Sequence, residues 1–283
     1  MAWVLKRTPS SPMVFPEILL EDESLVAFDK PSGLPVVRDA SDRAGPSLMG
    51  LVRARFGPAI ANVHRLDREA SGVVLCAKAK EALDFLSGQF QSKTARRIYH
   101  ALVVVLPEGG VPDRTRVREP SGALPPEFTV DLALGDDEHR PGQVRVFLKR
   151  GGKPSTTDFR ILESFGRFAW LECVPRTGRM HQIRAHLAAA GAPVLNDALY
   201  GDPARVLLLS GLKARYKGRE EERPLVARLA LHAASLGFTH PLSRAATQVS
   251  SPLPKDLEVA LKYLRRFSAP RVQGGPAAGP ASR

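Results

Sequence analysis

The stretch "HRLDREASGVVLCAK" (64–78) places one carboxylate, Asp67, between Arg65 and Arg68, and then passes straight into an apolar run rich in valine. That run, "GVVLCAK" (72–78), opens on a glycine and is too short for a buried helix, so it reads as a strand. The charged motif therefore sits where a loop enters a sheet. On its N-terminal side "LVAFD" (25–29) is another strand candidate, "KPSGLPV" carries turn chemistry, and Leu48, Leu51, Val52 and Phe56 recur at helical spacing behind Pro46. On its C-terminal side Leu83, Leu86 and Phe90 fall on one side of a helix, and "YHALVVVL" (99–106) follows as a strand. Residues 107 to 127 are rich in Pro, Gly and charge and read as a long surface connection before strands at "QVRVFLK" (143–149), "DFRILES" (158–164) and "FAWLECV" (168–174). "HQIRAHLAAAG" puts Ile183, Leu187 and Ala190 on one helical stripe with Gly191 placed to stop it, and "LEVALKYLRRF" (257–267) is an amphipathic closing helix. Strands in runs rather than in regular alternation with helices make this an α+β pattern.

At 283 residues the chain is within reach of one large domain. Residues 17–267 are expected to form it, behind a Pro- and Ser-bearing leader (1–16) and ahead of a tail (268–283) whose "SAPRVQGGPAAGPASR" buries too little apolar surface to join a core. The basic stretch 211–223 reads as an exposed excursion. Lys and Arg number 41 against 29 Asp and Glu, a net charge of +12, which favours a polyanionic partner, either nucleic acid or an anionic membrane surface. Apolar stretches such as Ala101 to Leu106 are far too short to span a bilayer, and no secretory signal opens the chain, so a cytoplasmic protein is expected. Cys76 and Cys173 lie far apart with no Cys or His at metal-ligand spacing, which favours packed, reduced thiols.

A carboxylate flanked by arginines is ordinarily part of a solvated salt-bridge surface. If Asp67 is instead partly buried against a guanidinium from another element, that charge favours the ionised, acceptor-only form suited to nucleophilic or base chemistry. "RTGRMHQIRAHLAAAGAPVLNDALYGD" (176–202) is dense in such partners, yet Arg176, Arg179 and Arg184 could equally contact phosphate or face solvent. Tyr99 reads as a core tyrosine with its hydroxyl at the rim. His64, His181, His186 and His232 lack a metal-ligand pattern and read as structural, so no metal is expected. A phosphate-binding glycine loop, a dinucleotide fingerprint and a Gly-x-Ser-x-Gly elbow are all missing, which leaves cofactor-free chemistry.

Six segments occur in a telling order: "ILLEDESLVAFDKPSGLPV", "HRLDREASGVVLCAK", "RRIYHALV", "GKPSTTDFRILESF", "RTGRMHQIRAHLAAAGAPVLNDALYG" and "LALHAASLGFTHP". Together, from about Glu21 to Pro241, they resemble the RluA-type family of RNA pseudouridine synthases. The resemblance implies an α+β fold with a mixed, mainly antiparallel β-sheet core, flanking helices and a central catalytic cleft. It implies isomerisation of uridine to pseudouridine in structured RNA, ribosomal or transfer; with no ligand cluster or cofactor loop in the chain, a monomer needing neither metal nor organic cofactor is expected. Asp67 matches the catalytic aspartate, which would either attack the ribose or act on it as a base. Tyr99 matches a tyrosine that stacks on the base and serves proton transfer at C5, and Arg184 matches the basic partner of the aspartate. Arg65 matches the position that helps hold the extruded nucleotide, and His64, Arg68, Arg179 and His181 are its expected RNA-binding neighbours.

The chain departs from the family pattern at Ala70, where threonine is common, and at Asn196, where glycine is common before the aspartate of "xxYG". The few residues before Glu21 leave no room for an S4-type RNA-binding domain, so RNA selection is expected to rest on the catalytic domain. Two rivals remain at this level. One is a catalytically weak RNA-binding or RNA-chaperone protein on the same scaffold, and the other a DNA- or membrane-surface protein resting on charge alone. The presence of Asp67, Tyr99 and Arg184 together argues against the first, and the absence of a long basic recognition helix against the second.

Overall fold

A strand that is apolar without alternation must bury both faces, and the segments Leu25–Lys30 and Ser71–Ala77 do so. In chain order the elements of this computed structural model are β1 (Glu17–Glu21), β2 (Leu25–Lys30), α1 (Leu48–Phe56), β3 (Ala61–Asn62), β4 (Ser71–Ala77), α2 (Lys80–Gln91) and β5 (Arg96–Val104). They continue with β6 (Glu127–Asp131), β7 (Ala133–Asp136), β8 (Val144–Phe147), β9 (Thr156–Phe165), β10 (Phe168–Pro175), α3 (Gln182–Ala189), β11 (Leu231–Thr239), β12 (Ala246–Ser250) and α4 (Lys255–Phe267). The structure describes residues 15–38, 45–107, 115, 117–119, 121–202, 204–216, 218 and 221–268. Most of the expected leader and all but Ser268 of the expected tail lie outside them. Phe15, at the leader's end, packs its ring edge-on against Phe28 at 5.6 Å.

A ten-stranded sheet runs β1-β2-β4-β11-β5-β10-β9-β6, with β12 on β11 and β3 on β4. All its described pairings are antiparallel except β4 with β11. The expected mixed, mainly antiparallel sheet with flanking helices is therefore present. Val26, Phe28, Val74 and Cys76 face the main core with Leu48 and Val52 of α1, while Leu25, Ala27, Val73 and Leu75 pack on the other side with Ala82 and Leu86 of α2. Leu257, Ala260, Leu261 and Leu264 seat α4 on the main core. Both cysteines are buried and reduced, and burial pushes the Cys76 thiol up to about 12. Among the described residues no helix is long and apolar enough to cross a membrane.

Six strands were not anticipated, among them the short β1 and β3. β6 and β7 lie in or just past the stretch read as a surface connection, and β11 and β12 follow the basic excursion. The strand at 143–149 shortens to β8, which leaves the main sheet and pairs with β7 alone. β11 is central to the fold. Its Ala233 pairs with Gly72 of β4 on one side and with Tyr99 of β5 on the other. At Gly72, φ is +115° and an added Cβ would lie 2.2 Å from the Ala233 carbonyl oxygen, so only glycine permits this approach.

Candidate active site

The register row through Gly72, Ala233 and Tyr99 brings the loop before β4 to the side of β5. That loop, residues 63–70, is held from below by Lys30, the last residue of β2. Its side chain is fully buried, and its Nζ donates to the carbonyls of Pro31 (2.9 Å), Leu34 (2.8 Å), Arg68 (3.1 Å) and Ala70 (2.7 Å). Burial lowers the Lys30 amine to about 7, against the pull of Asp67 and Glu69 nearby. The Ala70 N–H closes the turn on the Asp67 carbonyl at 3.2 Å.

Asp67 has its side chain 22% exposed. Arg184, reaching from α3 and only 2% exposed, donates from Nη1 to Asp67 Oδ2 at 3.2 Å. The rest of that guanidinium is engaged by Asp197, whose Oδ2 accepts from Nε and Oδ1 from Nη2, both at 2.8 Å. Asp197 is completely buried, and its Oδ1 also accepts the N–H groups of Leu199 and Tyr200. Glu69 lies 3.9 Å from Arg184 Nη1. These carboxylates raise the Arg184 pKa further despite burial. The buried ion pair with Asp197 fixes the guanidinium and turns Nη1 toward Asp67, whose Oδ1 has no hydrogen-bond partner among the described residues.

Tyr99 is buried in β5. Burial raises its phenol above the usual value and the Asp67 charge adds to this, against Arg97; no hydrogen bond among the described residues engages the hydroxyl. Arg97 donates from Nη2 to the carbonyls of Pro175 and Thr177, both at 3.0 Å, tying β5 to the loop that leads into α3. The structure thus gathers Asp67, Tyr99 and Arg184, with His181 beside them: Asp67, Arg184, Asp197 and Glu69 all act on its ionisation.

The other expected RNA contacts divide. Arg65 and Arg179 are exposed, and neither has a carboxylate partner among the described residues. Arg68 is exposed and donates from Nε to the Gly33 carbonyl at 3.2 Å. His64 turns inward: its Nε2 accepts the Leu75 N–H at 3.2 Å and its ring stacks on Phe90 at 5.0 Å. Burial holds its imidazole down at about 4, and Arg97 adds to this. His186 and His232 are internal, as their spacing suggested.

Sequence reasoning missed Lys30, Glu69, Asp197 and Tyr200. Two of them had a signal: Lys30 is a lone cation closing an apolar strand, and Asp197 is a lone acid in "APVLNDALYG".

The sequence model of one family, described as RNA pseudouridylate synthase, matches residues 24–189, more than half of the chain. The chain belongs to the RNA pseudouridylate synthase family. Among curated relatives, a ribosomal large subunit pseudouridine synthase D of Neisseria meningitidis is 33% identical over 253 residues, covering 88% of this chain and 61% of the relative. One of Xanthomonas campestris is 31% identical over 270 residues, covering 93% of this chain and 74% of the relative. The chain thus spans about 61% of the length of the Neisseria protein. Of solved structures, human RNA pseudouridylate synthase domain containing 4 superposes with a TM-score of 0.61 at 24% identity, over 88% of this chain and 92% of its own, a likeness of fold.

Within the RNA pseudouridylate synthase family, the two departures have local explanations here. Ala70 is fully buried in the main core, where a methyl fits. Asn196 has φ +59°, a left-handed conformation that asparagine tolerates best after glycine, and its Nδ2 donates to the carbonyls of Val226 (2.7 Å) and Arg228 (3.2 Å).

Proposed function

We propose that this chain is an RNA pseudouridine synthase that isomerises specific uridines in structured RNA, with Asp67 as its catalytic carboxylate. The observation that carries this reading is the state of Asp67: one oxygen is held by an arginine that Asp197 immobilises, and the other has no hydrogen-bond partner among the described residues, with the charge close enough to act on Tyr99. A solvated surface salt bridge needs no buried arginine and no second buried acid behind it. The relatives' names favour ribosomal over transfer RNA as substrate.

In the reaction, Asp67 either attacks the ribose of an extruded uridine or acts on it as a base. In both versions the bond from C1′ to N1 breaks, the uracil stays in the site and turns, and a bond from C1′ to C5 replaces it. The proton lost from C5 and the proton gained at N1 balance, so the change is an isomerisation without redox. Tyr99 supplies a ring for the base to stack on and a hydroxyl for the proton at C5. Arg184 steadies the carboxylate, while Arg65, Arg68 and Arg179 meet phosphates. Residues 17–267 form the catalytic unit, acting as a cytoplasmic monomer.

Asp67→Asn tests the reading, since it swaps a charged acceptor for an amide of the same shape. The variant should stay folded, bind RNA as well as the parent or slightly better, and form no detectable pseudouridine. Conversion near the wild-type rate would remove Asp67 from the mechanism. A wild-type protein that binds RNA and forms no pseudouridine would leave the non-catalytic RNA-binding protein instead.

A further inference from the structure

His181 adopts φ +50°, in the left-handed region, immediately before α3. Its ring stands among Asp67, Glu69, Arg184 and Asp197, and burial, the largest influence, lowers its basicity below the usual value. The imidazole is then neutral at pH 7 and carries one ring proton, and the nitrogen that holds it decides whether His181 offers the cleft a donor or an acceptor.

Tyr200 settles the choice. Its ring meets that of His181 edge to face, with centroids 5.7 Å apart and planes at 79°. Its hydroxyl accepts the Val144 N–H at 2.8 Å and lies 3.1 Å from His181 Nδ1. A phenol has one proton to give, and among the described residues His181 Nδ1 is the one acceptor in reach of it. The opposite tautomer would aim two N–H groups at one oxygen and strand the phenol proton. Nδ1 is therefore the acceptor and Nε2 carries the hydrogen. Nε2 itself has no partner among the described residues.

We propose that Tyr200 is a positioning residue that fixes His181 as an Nε2–H donor, and that His181 gives this hydrogen bond to an acceptor oxygen of the target nucleotide beside Asp67. The nucleotide in this statement rests on the pseudouridine synthase reading; the tautomer does not. A donor suits the place, because an imidazole lone pair turned toward phosphate or carbonyl oxygens would repel them. The same hydroxyl is linked to the seating of the β7–β8 hairpin. Val144 is the first residue of β8, and with Leu134 and Val146 it packs on Ala185, next to Arg184 in α3, whose guanidinium lies 5.3 Å over the Tyr200 ring.

The imidazole 15N shifts of the RNA-free protein report the tautomer without any activity. His181 should appear as the Nε2–H form, and as a mixture in Tyr200→Phe with the melting temperature followed in parallel. Substrate kinetics then separate the nitrogens, because a glutamine amide can stand in for Nε2 and an asparagine amide for Nδ1. His181→Gln should keep kcat/KM within about fivefold, while His181→Asn should lose about tenfold or more, chiefly through KM. A methylphosphonate beside the target uridine, or a 4-thiouridine in its place, identifies the oxygen: the change that erases the difference between the two variants marks the acceptor. An Nδ1–H form in the wild type, or equal kcat/KM for the two variants, would overturn the proposal. Failure of the wild type to make pseudouridine would sink the proposed reaction and leave the NMR result standing.

Discussion

Lys30 has no solvent contact, yet four carbonyls converge on its amine, two of them from the loop that carries Asp67. Replacing it with methionine keeps the bulk and leaves those carbonyls without a donor, so Lys30→Met should cost about 3 kcal/mol in chemical denaturation. The pH dependence has a definite sign. The folded value of about 7 lies below the usual 10.5, so between them the unfolded chain binds the extra proton and stability rises with pH; below about 7 the full penalty applies. The gap between wild type and Lys30→Met should widen from pH 7 to pH 9 by up to about 1.4 kcal/mol per unit; a constant gap would show that Lys30 stays charged. Tyr99 is the converse case, a buried residue whose hydroxyl has no hydrogen-bond partner among the described residues. Tyr99→Phe should change stability by less than about 0.5 kcal/mol and RNA affinity little, while turnover falls about a hundredfold or more. Equal losses in binding and turnover would contradict that division.

At the level of elements, the turn after α3 shows how a departure from a family pattern can be compensated. Asn196 needs a left-handed backbone and fastens the segment at Val226 and Arg228, so Asn196→Gly loses only the two hydrogen bonds, whereas Asn196→Ala loses them and strains the backbone. The alanine variant should be less stable than the glycine one by about 1 kcal/mol in paired denaturation curves; the reverse order would mean that the turn relaxes. Local pattern located β4, β9, β10 and all four helices because their apolar residues recur in long runs or at helical spacing. It missed β11, "LHAASLGFT", whose Ala, Ser and Gly have weak strand preference and which becomes a central strand because neighbours pair with it on both sides. For α3 the expected apolar stripe understated burial. Arg184 and His186 are buried as well, since the helix is enclosed by the sheet and by the β7–β8 hairpin.

Across the whole molecule, buried neutral histidines set the acid limit. His186 bonds to Thr157 and the Leu132 carbonyl, His232 to Ser71 and the Ser251 carbonyl, and burial pushes each down to about 4. Between pH 4 and the ordinary 6.5 the unfolded chain binds more protons, so stability held above 6.5 drains away as pH falls. Each histidine should contribute a loss of up to about 2 kcal/mol by pH 5, and His232→Asn should flatten part of that slope in melts at pH 7.5, 6 and 5. An unchanged slope would assign the acid sensitivity elsewhere. The net charge of +12 is not evenly used. Arg160, Arg176 and Arg265 have carboxylate partners, whereas Arg65 and Arg179 have none among the described residues.

By itself the sequence determined the α+β class, the position of Asp67 at the entrance to a strand, and, through the order of its motifs, the family. These depend on local pattern and on residue chemistry, both written in the chain. Tertiary structure alone decided that β11 would separate β4 from β5 and align Gly72 with Tyr99. It also brought Arg184, which composition could not tell from Arg176 and Arg179, against Asp67, and put the buried Asp197 behind it. An arginine's partner is fixed by which surfaces meet when distant segments pack, and the cost of burying a guanidinium can be met only by carboxylates that the fold, not the local sequence, brings within reach.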